Sequence, residues 1–212
     1  MSKEQLIKDL QSFSGPYEYV QQGLLKGIPW IFNADEESFM RWRSEAGKAC
    51  GVVSDHVYIV GSAKTGFSMS PRKAGNDFRP ISSTGIYPSD IDIAIVDKEL
   101  FESAWNTILT YDRSRKLRKV ITGDSTYLTF RERIDRLRLN IYWGTLAGDH
   151  TISGTKEAQR IRSLFAATTR VPPFQGYQAR ARIYRRQEDL ISYHVQSIES
   201  LLDSLKEEGL IK

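Results

Sequence analysis

The sequence is poor in the residues that build disulfides and zinc sites. Cys50 is its only cysteine, and its three histidines, His56, His150 and His194, are scattered without metal-ligand spacing. A disulfide within the chain is therefore excluded, and neither a cysteine-based zinc site nor a Ser-His-Asp triad is indicated. We expect Cys50 to be a small buried residue at a helix end.

Long apolar runs are also missing. No segment approaches the roughly 20 apolar residues that a membrane helix needs. The first ten residues have neither the apolar core nor the small-residue cleavage site of a signal peptide. We therefore expect no membrane insertion and a cytoplasmic location. The 212 residues, 40% hydrophobic and 26% charged, have an ordinary globular composition and are long enough for one substantial core.

Positive charge is concentrated in short stretches of the chain, although the net charge is only +4. Lysine and arginine cluster within residues 113–119, 131–138 and 180–186. Such density favours a polyanionic partner, either a triphosphate or a nucleic acid. For any single cluster, a solvated face with local ion pairs is the alternative interpretation.

Three segments have the residue pattern of β-strands. Residues 57–60 are continuously apolar, and residues 90–96 alternate acidic and apolar residues before becoming apolar throughout. Residues 177–184 also alternate, with Arg180 and Arg182 on one face. A loop of more than twenty residues separates the first two segments. The patterns predict strands at all three places, and one end of the second strand is predicted to be exposed to solvent.

Apolar residues at three- and four-residue spacing predict four helices. They begin at about Asp35, after Asp97, at about Ser125 and at about Gln187. His194 falls on the apolar stripe of the last helix, so we expect it to be packed there. Residues 144–176 contain prolines and several glycines and are predicted to be irregular. Strands and helices together predict a mixed α/β (α+β) fold.

Asp90 and Asp92 are the most informative pair of side chains. Residues two apart in a strand project from one face, so the two carboxylates are directed at one point. Like charges that close are unfavourable unless a cation lies between them, and Mg²⁺ is commonly bound by one or two carboxylates plus substrate phosphates. We predict that both residues are catalytic and bind Mg²⁺, or Mn²⁺ in its place. The alternative is a polar strand start that closes a turn after Pro88.

Gly61 and Ser62, at the end of the preceding strand, are candidate phosphate-binding residues. Glycine lets the backbone approach a phosphate closely, and serine offers a hydroxyl and an amide as donors. Lys64 follows two residues later and could neutralise a phosphate. An ordinary turn is the alternative for Gly61-Ser62. Arg180 and Arg182 could likewise bind nucleotide phosphates, or form a solvated strand face.

The segments VYIVGSAKTGFS and SDIDIAIVD, within residues 57–97, resemble the DNA polymerase beta-type nucleotidyltransferase superfamily. Similar proteins include bacterial antitoxin and aminoglycoside nucleotidyltransferases and enzymes of antiviral defence. By that resemblance, Gly61 and Ser62 would hold a triphosphate, and Asp90 and Asp92 the metal ions. It also implies a mixed sheet with flanking helices and an additional C-terminal helix. We predict a single domain over residues 1–212, with a catalytic core at about 51–186 and helical flanks at 1–50 and 187–212.

Two departures from the family pattern concern the site. The loop between Ser62 and Asp90 is longer than in small members. The family also has a third carboxylate on a later strand, where this sequence has Arg180 and Arg182. Asp124 and Asp135 are acidic, but they fall in a predicted helix cap and a predicted helix. The chain therefore uses an acid elsewhere, works with two carboxylates, or is inactive.

Three functions are compatible with these residues. The first is transfer of a nucleoside monophosphate from an NTP or dNTP to a hydroxyl of a nucleotide, an oligonucleotide or a protein, with pyrophosphate release. By the resemblance, such an enzyme serves in bacterial antiviral defence or a toxin–antitoxin module, with a nucleic acid or a partner protein encoded nearby. The second is an inactive relative that binds nucleotides or nucleic acid. The third is an α/β interaction protein in which the Asp pair is structural.

Overall fold

A four-stranded mixed sheet lies at the centre of the protein. The computed structural model describes residues 3–80, 88–113 and 130–211. The strands are β1 (Val57–Val60), β2 (Ile91–Val96), β3 (Thr145–Ala147) and β4 (Ala179–Tyr184), in the order β1-β2-β4-β3. β2 and β4 are parallel, whereas β1 and β3 are antiparallel to their neighbours. The predicted mixed α/β fold is confirmed.

Helices surround this sheet in the described part of the chain. They are α1 (Lys3–Gln11), α2 (Pro16–Glu18), α3 (Glu36–Cys50), α4 (Ser62–Thr65), α5 (Lys98–Arg113), α6 (Phe130–Tyr142), α7 (Lys156–Thr169) and α8 (Gln187–Glu207). Carboxylates cap two of the predicted ones: Asp35 accepts the N–H of Ser38 at α3, and Asp97 accepts the N–H of Leu100 at α5. The helices predicted from Asp35, after Asp97 and from Gln187 are confirmed. The predicted start near Ser125 lies outside the described residues.

The expectation that residues 144–176 are irregular is wrong. This segment contains β3 and α7. β3 has only three residues, too few for an alternation to be visible, and it is held by pairing with β4. α7 begins after Thr155, whose hydroxyl accepts the N–H of Ala158. Its buried residues recur at helical spacing, but the neighbouring glycines and prolines hid that pattern.

The two faces of the sheet differ in what covers them. On the first, which we call the apolar face, Ile91, Ile93 and Ile95 of β2 pack against α3, α5 and α7 in one core cluster. On the second, the polar face, Ala94 and Val96 pack with α1 and α8 in another cluster. Because side chains alternate along a strand, Asp92 belongs to the polar face. The sheet therefore has a buried hydrophobic side and a side that combines packing with charge.

None of the helices within the described residues has the length and apolar composition that crossing a lipid bilayer would require.

Candidate functional site

The parallel pairing of β2 and β4 brings acidic and basic side chains together. Asp92 is opposite Arg180, and Ala94 is opposite Arg182. Asp90 immediately precedes β2, and the Nε atom of Arg180 lies 2.8 Å from its Oδ2 atom. The two acids and the two arginines therefore lie beside one another at the polar face.

Asp92 is the electrostatically strained member of the pair. Burial, and secondarily the neighbouring Asp90 carboxylate, raises the pKa of Asp92 to about 6. Arg180 and Arg182 oppose this increase without cancelling it. A raised carboxyl pKa means that the charged form is disfavoured in the folded protein. The site therefore favours an additional cation when Asp92 is ionised.

Gly61 provides a gap that the Asp92 carboxylate fills. Gly61 has φ of +65°, and a Cβ atom added there would lie 2.7 Å from Oδ2 of Asp92. Both the backbone conformation and the missing side chain are therefore required at this position. β1 pairs with β2 so that Val60 is opposite Asp92, which fixes the close approach.

A cavity of about 910 Å³ opens beside these residues. Gly61, Ser62, Asp92, Arg180 and Arg182 all line it. Its volume is within the range of small-molecule and cofactor sites, roughly 300–1,000 Å³. Five of the side chains or backbone positions singled out in the sequence therefore share one cavity.

Lys64 does not join this group. Its ammonium group donates hydrogen bonds to the carbonyl oxygens of Lys26 and Gly27, and the residue is 7% exposed. Burial, and secondarily Arg43, lowers the pKa of Lys64 to about 8. The cause is α4, a helical turn where a loop was expected. Successive helical residues turn by about 100°, so Lys64 faces away from Ser62 and into a separate cavity.

Arg182 is held more firmly than Arg180. Its Nη1 donates to the hydroxyl of Thr145 at 3.3 Å, and its guanidinium carbon lies 4.6 Å from the centroid of the Tyr193 ring. Such a cation–π contact restrains the arginine while leaving its charge in the cavity wall. Arg180, by contrast, has a side chain that is 71% exposed.

Other residues that line the same cavity were not assigned to the site from the sequence, among them Asp149, Tyr193 and His194. His194 is buried, as expected from its helical stripe, and its Nε2 atom has no hydrogen-bond partner among the described residues. Burial, and secondarily Arg182, lowers the pKa of His194 to about 4. The helical periodicity could have found the two α8 residues. Asp149 follows β3, whose pairing with β4 no local pattern revealed.

The donors present suit one divalent ion better than two. Within the described ranges, His, Cys, Asp and Glu side chains form no group of three that could hold a metal ion. Two carboxylates and the phosphates of a substrate are a sufficient donor set for one Mg²⁺. The gap at Gly61 leaves room for the Asp92 carboxylate itself. The residues therefore fit Mg²⁺ bound by Asp90 and Asp92.

The chain matches no protein-family model, and it matches neither a curated protein nor a solved structure. The resemblance to the nucleotidyltransferases therefore depends on residues 57–97 alone, and the functional argument depends on the geometry of the site.

Proposed function

We propose that the protein is a Mg²⁺-dependent nucleotidyltransferase. It would transfer a nucleoside monophosphate from an NTP or dNTP to a hydroxyl of a nucleotide, an oligonucleotide or a protein, and release pyrophosphate. The observation that supports this most is the position of Asp92, a partly buried carboxylate beside Asp90, next to Gly61 and in the wall of a cavity that arginines also line.

Each residue has a role in this proposal. Asp90 and Asp92 bind the metal ion, which when bound polarises a phosphate and stabilises the negative charge of the leaving group. The Gly61 backbone and the Ser62 hydroxyl would donate to the triphosphate. Arg180 and Arg182 offer planar guanidinium groups, which suit phosphate oxygens through paired hydrogen bonds.

The proposal extends to the setting of the enzyme. We infer a cytoplasmic enzyme of bacterial antiviral defence or of a toxin–antitoxin module, with a nucleic acid or a nearby-encoded protein as acceptor or partner. The basic residues of β4 support an anionic acceptor or product, because their positive charge lies in the wall of the same cavity.

The direct experiment is an incubation of the protein with each labelled NTP and dNTP, in Mg²⁺ or Mn²⁺. Small products, oligomers and labelled protein are resolved separately, and pyrophosphate is measured. We expect one nucleotide to be incorporated by the wild type, and Asp90→Ala and Asp92→Ala to lose this activity while remaining folded. Asp203→Ala, an exposed acid on α8, is the matched control and should retain it. Equal turnover in all four proteins would contradict the assignment.

A second function is favoured by one observation: within the described residues, no group of three His, Cys, Asp or Glu side chains could hold a metal ion. In this alternative the protein retains the fold and the cavity but only binds a nucleotide or nucleic acid. Saturable binding of a labelled nucleotide that depends on Ser62 and Arg182, without any pyrophosphate release in either metal, would support it over catalysis.

A further inference from the structure

We propose that the guanidinium group of Arg180 is a built-in cation of this site that takes the place of a second metal ion, so that the chain binds one divalent ion. The inference deepens the proposed function and depends on it, because it concerns the ion-binding capacity of Asp90 and Asp92. An arginine cannot itself bind a metal ion, but the positive charge of Arg180 takes the place of one at this position.

The position of Arg180 is set by the fold. β2 and β4 are parallel and in register, with Asp92 directly opposite Arg180. Side chains of paired residues in a sheet project from the same face, so Arg180 and Asp92 both lie on the polar face. The guanidinium reaches Asp90, where Nε is 2.8 Å from Oδ2. A carboxylate of the candidate metal pair is therefore already engaged by a positive charge.

This contact limits how many ions the pair can accept. Mg²⁺ approaches its oxygen ligands to about 2.0–2.1 Å. A second ion bridging to the engaged oxygen of Asp90 would lie beside the guanidinium and be repelled by it. The described residues also contain no group of three His, Cys, Asp or Glu side chains that could hold a metal ion and so compensate for that repulsion. A single ion, bound by Asp92 and by the carboxylate oxygen of Asp90 that Arg180 does not engage, avoids this repulsion.

The ion pair is not needed to hold the sheet together. The Arg180 side chain is 71% exposed and that of Asp90 is 32% exposed. Exposed ion pairs contribute little to stability, so a functional explanation has more weight here than a structural one. The exposure also leaves the guanidinium in contact with the cavity that it lines, where its remaining donors can meet phosphate oxygens.

Binding of Mn²⁺ to the full chain, followed by the electron paramagnetic resonance of free Mn²⁺, tests this proposal without nucleotide or activity. We expect one Mn²⁺ per wild-type chain. Arg180→Ala should bind one Mn²⁺ at least fivefold more tightly, because Asp90 is released. Arg180→Asp, which supplies a third carboxylate, should bind a second Mn²⁺. Arg180→Lys keeps the charge and should resemble the wild type, as should Arg41→Ala, which removes an exposed arginine on α3.

The outcomes separate this inference from the proposed function. The role of Arg180 would be overturned if the wild type bound two Mn²⁺ ions or if Arg180→Ala bound Mn²⁺ with unchanged affinity. Loss of Mn²⁺ binding in Asp92→Asn would in that case still support the metal site. Equal Mn²⁺ binding by Asp92→Asn and the wild type, or no binding by any variant, would overturn the metal site itself and the inference with it. Circular dichroism of each variant checks that folding is retained. If Arg180→Ala does not fold, Arg180→Gln takes its place.

Discussion

The two faces of the central sheet differ in the side chains that β2 contributes to them. On the apolar face, Ile91, Ile93 and Ile95 of β2 are at most 1% exposed and lie in one continuous core. On the polar face, Asp92 interrupts the apolar series before Ala94 and Val96 resume it. A single residue of offset along β2 therefore changes the environment from a hydrocarbon core to a charged cavity.

Stability and the candidate site are located on different faces of the sheet. The apolar face buries side chains that neither carry charge nor need partners, which favours folding. The polar face contains a carboxylate with a raised pKa and a histidine with a lowered one. In both cases burial favours the neutral form of the group, so its charged form costs folding energy. Function-bearing sites commonly have this destabilising character.

We expect the greatest loss of stability when a polar side chain is introduced on the apolar face. Ile93→Asn places an amide in the core next to Asp92, and we expect it to lower the free energy of unfolding by about 3–5 kcal/mol, because a buried side chain is lost and a polar group is left without partners. Urea denaturation monitored by tryptophan fluorescence measures this. Comparable stabilities of Ile93→Asn and Asp92→Asn would show that the two faces do not differ as described.

His194 should make the polar face sensitive to acid. Its folded pKa of about 4 is below the unfolded value of 6.5, so only the unfolded chain takes up a proton as the pH falls between these values. The stability that this residue contributes is present above pH 6.5 and is lost as the pH falls to 4, by up to roughly 3 kcal/mol. His194→Phe should flatten the pH dependence of the unfolding free energy in that window. Parallel curves for the two proteins would contradict the burial argument.

Asp92 should have the opposite pH dependence, with a smaller effect. Its folded pKa of about 6 exceeds the usual 3.8, so its charge destabilises the fold above pH 6, and this penalty disappears as the pH falls toward 3.8. Asp92→Asn should therefore raise the free energy of unfolding by roughly 2 kcal/mol at pH 7.5 in metal-free buffer. The gain should shrink at pH 5. Asp203→Asn is the exposed control, and a gain of the same size there would point to net charge instead.

The sequence predicted the strands better than the segments between them. Continuous and alternating apolar runs located β1, β2 and β4, and the two-residue spacing placed Asp90 and Asp92 on one face. What local pattern could not supply was pairing. The partner of Arg180 follows from the parallel register of β2 and β4, which are more than eighty residues apart, and β3 exists only through its ladder with β4. Lys64 was misplaced because four residues after Gly61 form a helical turn.

The smallest effect that we predict concerns Ser62, a residue of the cavity wall. Ser62 directly follows Gly61 at the end of β1 and lines the cavity with Asp92. If its hydroxyl donates to a triphosphate oxygen, loss of one charge-assisted hydrogen bond should cost about 1.5 kcal/mol, or roughly tenfold in nucleotide Kd. Isothermal titration calorimetry with a non-hydrolysable NTP measures Ser62→Ala against Ser200→Ala, whose hydroxyl on the α8 wall donates to the carbonyl of Gln196. Ser62→Ala should leave Mn²⁺ affinity unchanged, because the hydroxyl serves the phosphate and not the ion. Equal nucleotide affinities in the two variants would show that Gly61-Ser62 is only a structural turn. The proposed nucleotide site would then depend on Asp90, Asp92 and the arginines of β4.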